Sequence, residues 1–141
     1  MINENYKGKL LISSPEIADG IFEKSIILIC EHDANGTIGF VVNKPIIDVN
    51  LGRIWANLGY KEKNINQANE DVFIGGPLAS NAMFVIHSPE YFIDKKTIKV
   101  GQEISVTGTK EITDDIQNGQ GPKKALFLLG YSGWAPGQLE D

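Results

Sequence analysis

The chain has 141 residues, of which 42% are hydrophobic and 22% charged; this is ordinary globular usage and excludes intrinsic disorder or a fibrous repeat. A length well below the roughly 250 to 300 residues at which cores divide leads us to expect a single domain over residues 1–141. Thirteen basic against eighteen acidic residues leave a net charge of −5, and Arg53 is the only arginine, so direct nucleic-acid binding is not expected.

Lys7 to Ser14 carries a compact apolar run that Pro15 stops, the pattern of a short buried strand. Ser25 to Cys30 is β-branched and apolar at both parities, so both of its faces are expected to be covered, at the centre of a sheet. Thr37 to Asn43 is the next strand. Asn35-Gly36 between these runs is a hairpin signal, because both residues tolerate positive φ, and the two strands should pair antiparallel.

From Asn50 the period changes. Leu51, Ile54, Trp55 and Leu58 lie on one helical stripe, with Trp55 in the core and Gly59 suited to the C-terminal cap. Lys61 to Asp71 is nearly all polar and is expected to be a solvated loop. Short strands follow at Val72-Phe73-Ile74, ended by Gly75-Gly76-Pro77, and at Met83 to His87, closed by Ser88-Pro89. Ile104 to Thr107 forms another strand, Ile112 and Ile116 mark a short helix ending at Asn118-Gly119, and Lys124 to Leu129 is the last apolar strand. Pro136 is suited to open a helix that Asp141 cuts short. Many strands with two short helices, and a hairpin that rules out a purely parallel sheet, indicate an α+β fold.

Cys30 stands alone, so neither an internal disulfide nor a thiolate zinc cluster can form, which fits a reducing compartment. Met1 to Tyr6 lacks a basic cap, Leu10-Leu11-Ile12 is too short for a signal core, and no stretch approaches the ~18 apolar residues of a membrane span. A cytoplasmic protein with no membrane association is therefore expected.

Several patterns bear on chemistry. Gly130-Tyr131-Ser132-Gly133-Trp134 follows a strand as a nucleophile elbow would, but bulky Trp134 stands where that motif needs a small residue, and both histidines precede Ser132. A glycine-rich turn with an exposed Ser132 hydroxyl is the simpler expectation. Cys30 and His32, two apart on a strand, should project from one face with Glu31 on the other. Zinc would need further ligands, so Cys30 is expected to be a core residue, His32 a solvated or acid-paired imidazole, and no metal or cofactor is expected. Gly75-Gly76-Pro77 could form an anion nest, yet it lacks the residues of a P-loop or a Rossmann turn, and a tight strand-exit turn explains it better. Lys95-Lys96 and Lys123-Lys124 look like solvated pairs. Tyr131 and Trp134 either pack under the final turn or line a recognition surface.

The segments Gly8 to Pro15, Phe22 to His32 and Gly36 to Pro45 resemble the YqgE/AlgH family of bacterial proteins. So do Gly75 to Leu78, Phe84 to His87, and Leu129 to Trp134 running on to Gly137-Gln138-Leu139-Glu140. The resemblance spans essentially the whole chain. Asn81-Ala82-Met83 departs from the arginine and glycine usual before that phenylalanine, and the chain ends at Asp141, where family members usually continue, so a C-terminal part is expected to be missing. The resemblance implies an α+β fold with a mixed, largely antiparallel sheet, bifurcated and partly barrel-like, flanked by short helices. Members are mostly uncharacterised, and one branch is described as a transcriptional regulator of alginate synthesis. The family often has alanine at the position of Ser132, and no catalytic residue carries over.

These readings converge on an accessory or regulatory protein that binds a protein partner or a small ligand. The surface expected for it comprises His32, Asn43, Gly75, Gly76, Pro77, His87, Tyr131, Trp134 and Gln138, since binding residues concentrate in turns and loops. A hydrolase using Ser132 and a direct DNA-binding regulator are the alternatives.

Overall fold

The computed structural model of this chain describes residues 7–12, 24–34, 36–57 and 70–134. The first apolar run gives the short edge strand β1 (Leu10–Ile12), which pairs antiparallel with β2 (Ile26–Asp33). β2 turns back on β3 (Gly36–Val41) as the hairpin signal predicts. Asp33 faces Gly36 in the ladder, so Gly36 belongs to the strand itself, while Asn35 lies outside the described residues.

An unanticipated strand, β4 (Pro45–Asn50), leads into helix α1 (Leu51–Asn57). Pro45 is tolerated because it opens the strand and β4 lies at an edge, pairing with β5 (Asp71–Ile74) alone. Asn50 caps the helix, its Oδ1 accepting the Arg53 N–H at 3.0 Å. Leu51 and Trp55 are buried along the expected stripe, whereas Leu58, Gly59 and the polar segment 61–69 lie outside the described residues.

The chain continues through β6 (Leu78–His87), β7 (Thr97–Lys99), β8 (Ser105–Thr107), helix α2 (Lys110–Gln117) and β9 (Ala125–Trp134). Helix α2 ends as predicted. Gly119, at φ 76°, donates to Ile116 O, and Gln120 N–H reaches back to Asp115 O at 2.7 Å, the two bonds of a Schellman cap.

The sheet order is β1-β2-β3-β9-β6-β8-β7, with β5 joined to β9 and β4 to β5. Every pairing is antiparallel except β5 with β9. The result is an α+β fold whose curled half-barrel sheet bifurcates along β9. On one side β9 pairs with β6 from Ala125 to Tyr131; on the other, Phe127 to Leu129 pair with β5 and Ser132 to Trp134 pair with β3. The change of partner falls at Gly130, whose φ of 79° bends the strand. Gly130 to Trp134 is therefore a continuous strand, where a turn was expected: the glycine turns the ladder without ending it.

Strand alternation divides the core between two faces. Val85 and Phe127 pack with Leu51, Trp55, Val72, Ile112 and Ile116 beneath the helices. Their neighbours Ile86 and Leu128 point the other way, to Leu28, Cys30, Phe40, Val100 and Val106. Fully burying a side chain such as Phe127 contributes roughly 1.5–3 kcal/mol.

Candidate functional site

The second face does not fill completely. A cavity of about 340 Å³ opens there, walled by Phe40, Phe84, Tyr131, Ile38, Ile98 and Val106, with Cys30 among its lining residues. The aromatic rings support one another: Phe84 lies 5.1 Å from Phe40 at 53° and 5.9 Å from Tyr131 at 75°, within the range of favourable tilted packing. Gly108 makes room for this arrangement, because a Cβ there would run into the Phe84 ring.

The bulge in β2 decides which polar groups reach the cavity. Ile29 pairs with Gly39 and Glu31 with Ile38, so Cys30 is the extra residue of a β-bulge. A bulge shifts the alternation by one, and Cys30 and Glu31 both line the cavity. The expectation that Glu31 would face away from Cys30 is thereby corrected; perfect alternation does not survive the inserted residue. Burial, and then the Glu31 charge, push the Cys30 thiol up to about 12, against a smaller opposing effect of Lys7, so its sulfur behaves as an apolar wall.

Lys95 and Lys96, exposed as expected of a solvated pair, also border the cavity. Lys96 Nζ is bound to Glu111 Oε2 at 2.6 Å. Lys95 adopts φ 66°, a conformation that lysine rarely takes, in the turn before β7. The sequence carried no signal for either contribution, since both depend on a turn brought over the β2–β3 hairpin.

A second hollow of about 440 Å³ adjoins the first, sharing Glu31, Ile38 and Tyr131 and extending to Trp134, Asp33 and Leu78. Tyr131 and Trp134 thus lie in one cleft system, and both are partly buried.

The other expected site residues lie elsewhere. His32 is in β2 opposite Thr37, outside the linings of both hollows. The Asn43 amide is engaged with the backbone, accepting from Ile26 N–H at 2.9 Å and donating to Lys24 O at 3.0 Å. Gly75 and Gly76 are buried where β5 crosses β9; a Cβ on Gly76 would collide with the Tyr131 carbonyl. Gly75 N–H donates to Leu129 O, so that donor serves the sheet. Pro77 is exposed at the following bend, and Gln138 lies outside the described residues. His87 lines a separate hollow of about 310 Å³ with Glu103 and Lys124.

Ser132 is 0% exposed and its Oγ donates to Gly75 O at 3.1 Å. The exposed hydroxyl expected of it is absent, because β9 continues as a paired strand and turns that side chain inward. His87 is committed to other partners, Nδ1 to Ser88 O at 2.9 Å and Nε2 to Thr107 Oγ1 at 2.7 Å. Among the described residues there is no cluster of three or more His, Cys, Asp or Glu side chains suited to a metal ion, and no helix long and apolar enough to cross a membrane.

The family model described as AlgH-like matches residues 10–141. The chain belongs to the AlgH-like family. A UPF0301 protein of Cereibacter sphaeroides is 42% identical over 133 residues, covering 94% of this AlgH-like chain and 72% of the relative. One of Ruegeria pomeroyi is 41% identical over 133 residues, with the same coverage of 94% and 72%. The solution structure of the AlgH protein from Pseudomonas aeruginosa superposes with a TM-score of 0.81 at 30% identity, over 99% of this chain and 75% of that one. A crystal structure of a Corynebacterium diphtheriae protein shares the fold, with a TM-score of 0.73 at 22% identity over 98% of this chain and 71% of its own.

Proposed function

We propose that this AlgH-like protein is a bacterial accessory or regulatory protein of the cytoplasm that acts by binding a small ligand in the cavity beneath Phe84. The observation that carries this reading is the cavity of about 340 Å³ with three aromatic walls and an otherwise apolar lining broken by Glu31, Lys95, Lys96 and Thr109. Small-molecule sites have this character: concave, mostly apolar, with a small number of polar groups to fix orientation. Its volume falls at the lower end of the usual range of about 300 to 1,000 Å³, which suits a single small metabolite. Chemistry is not part of the proposal, because the serine and the histidine that a hydrolase would use are engaged elsewhere. A regulatory effect would then pass through a change in this protein's own contacts when the cavity fills.

The test is ligand-observed and amide-observed NMR with a library of small aromatic and aliphatic compounds. Binding should shift the amides of Phe84, Gly108 and Tyr131 first. Ile98→Trp, which enlarges a partly exposed wall residue, should fill the mouth and abolish those shifts while the protein stays folded. If no compound perturbs these amides, or if Ile98→Trp leaves binding intact, the cavity is not the site.

A further inference from the structure

Resting on that reading of the cavity, we infer that its ligand is a zwitterion with an apolar side chain, of the kind a free aromatic α-amino acid represents. Two opposite charges line the same apolar cavity, Glu31 and Lys95. Neither has an ion-pair partner among the described residues, and they do not pair with each other. The third charged lining group, Lys96, is already neutralised by Glu111.

An uncharged apolar ligand would cover the half-buried Glu31 further and crowd the exposed Lys95 at the rim without compensating either charge, and desolvating an unpaired charge is costly. A simple anion would meet Lys95 and be opposed by Glu31; a simple cation would meet the reverse. Only a ligand bearing both signs compensates both groups, and such complementarity confers specificity as well as affinity. The ammonium is assigned to Glu31 and the carboxylate to Lys95, with the side chain among Phe40, Phe84 and Tyr131. Two backbone irregularities hold the pair in place: the bulge that brings Glu31 to the cavity and the left-handed conformation of Lys95. Locally unfavourable backbone of this kind concentrates at binding sites.

The experiment compares three probes that share a phenyl ring: L-phenylalanine, 2-phenylethylamine, which lacks the carboxylate, and 3-phenylpropanoate, which lacks the ammonium. Dissociation constants come from NMR titration of the full chain. L-Phenylalanine should bind at least about ten-fold tighter than either analogue. Glu31→Gln should remove its advantage over 3-phenylpropanoate, and Lys95→Asn, which removes the charge yet tolerates positive φ, its advantage over 2-phenylethylamine. Amide spectra confirm that each variant is folded. If either analogue binds the parent protein as well as L-phenylalanine, or if all three fail while other compounds still shift Phe84 and Tyr131, this inference is wrong and the cavity reading stands. If no compound of any class shifts those amides, both fall.

Discussion

His87 on β6 and Thr107 on β8, diagonal neighbours in a ladder that pairs His87 with Ser105 and Thr107 with Val85, are joined by a buried hydrogen bond of 2.7 Å whose direction is fixed by their neighbours. The Ser88 carbonyl can only accept, so His87 Nδ1 carries the proton and Nε2 is the acceptor. Thr107 therefore donates to Nε2 and accepts from the Thr97 hydroxyl at 2.7 Å, and Thr97 in turn accepts from Ile93 N–H at 2.9 Å. Every group in this chain is satisfied only while the imidazole is neutral.

This arrangement sets a pH dependence. Burial lowers the His87 pKa from its ordinary value near 6.5, outweighing the Ser88 hydrogen bond and the Glu90 charge that raise it. Between the lowered folded value and the unfolded one, the unfolded chain binds a proton that the folded chain refuses, so stability rises with pH. The contribution is complete above the unfolded pKa and is lost as pH falls through the folded one. Urea midpoints measured from about pH 7.5 down to 5 should decline, and His87→Gln should flatten that slope. An unchanged slope in the variant would show that another group is responsible.

At Gly130 the strand bends because its φ of 79° favours glycine and because a Cβ would run into the carbonyls of Gly76 and Leu78. Gly130→Ala should therefore destabilise by more than about 1 kcal/mol, combining an unfavourable φ with a collision against backbone that cannot easily yield. Gly101 is the control, since a Cβ there meets nothing within 4 Å and no positive φ is required. Gly101→Ala should be neutral or stabilise by about 0.4–1 kcal/mol through the unfolded state. Equal effects in thermal denaturation would mean that the β9 bend is not a constrained feature.

The cavity also predicts how Cys30 reacts. Only the thiolate attacks a disulfide reagent, and a thiol pushed up to about 12 holds almost none of it at neutral pH. Labelling by an aromatic disulfide at about pH 8 should be at least ten-fold slower in the native protein than in urea. Rapid native labelling would show that the sulfur is neither buried nor desolvated as described.

Much of the framework was legible because it depends on local pattern. The β2–β3 hairpin, the Leu51–Trp55 stripe and the glycine cap of α2 each follow from a few adjacent residues. The misses share a different cause. β7 contains one apolar residue, and β4 opens with Pro45 and leaves Ile47 exposed, so neither shows a buried period; both exist because an edge of the sheet was available. Gly130 and Gly133 look like punctuation until β3 and β6 hold the strand together across them. At the candidate site, Tyr131 was visible as an aromatic in a glycine-rich setting. Glu31 was assigned to the wrong face because a bulge leaves no mark in the pattern, and Lys95, exposed as expected, gave no sign of bordering the cavity because its turn approaches β2 and β3 only in the folded chain.

Ser132 provides the sharpest division between a structural and a chemical role. Its hydroxyl is buried and donates to the carbonyl of Gly75, which also accepts the Val41 N–H at 2.8 Å where β5 ends. Ser132→Ala removes a donor and leaves that carbonyl with its backbone partner, so the cost should be modest, about 0.5–1.5 kcal/mol in denaturant melts. Any esterase activity of the preparation should survive the substitution unchanged, because no substrate reaches a hydroxyl enclosed between β3 and β5. Loss of hydrolysis with undiminished stability would require the serine to be exposed in solution and would restore the hydrolase reading.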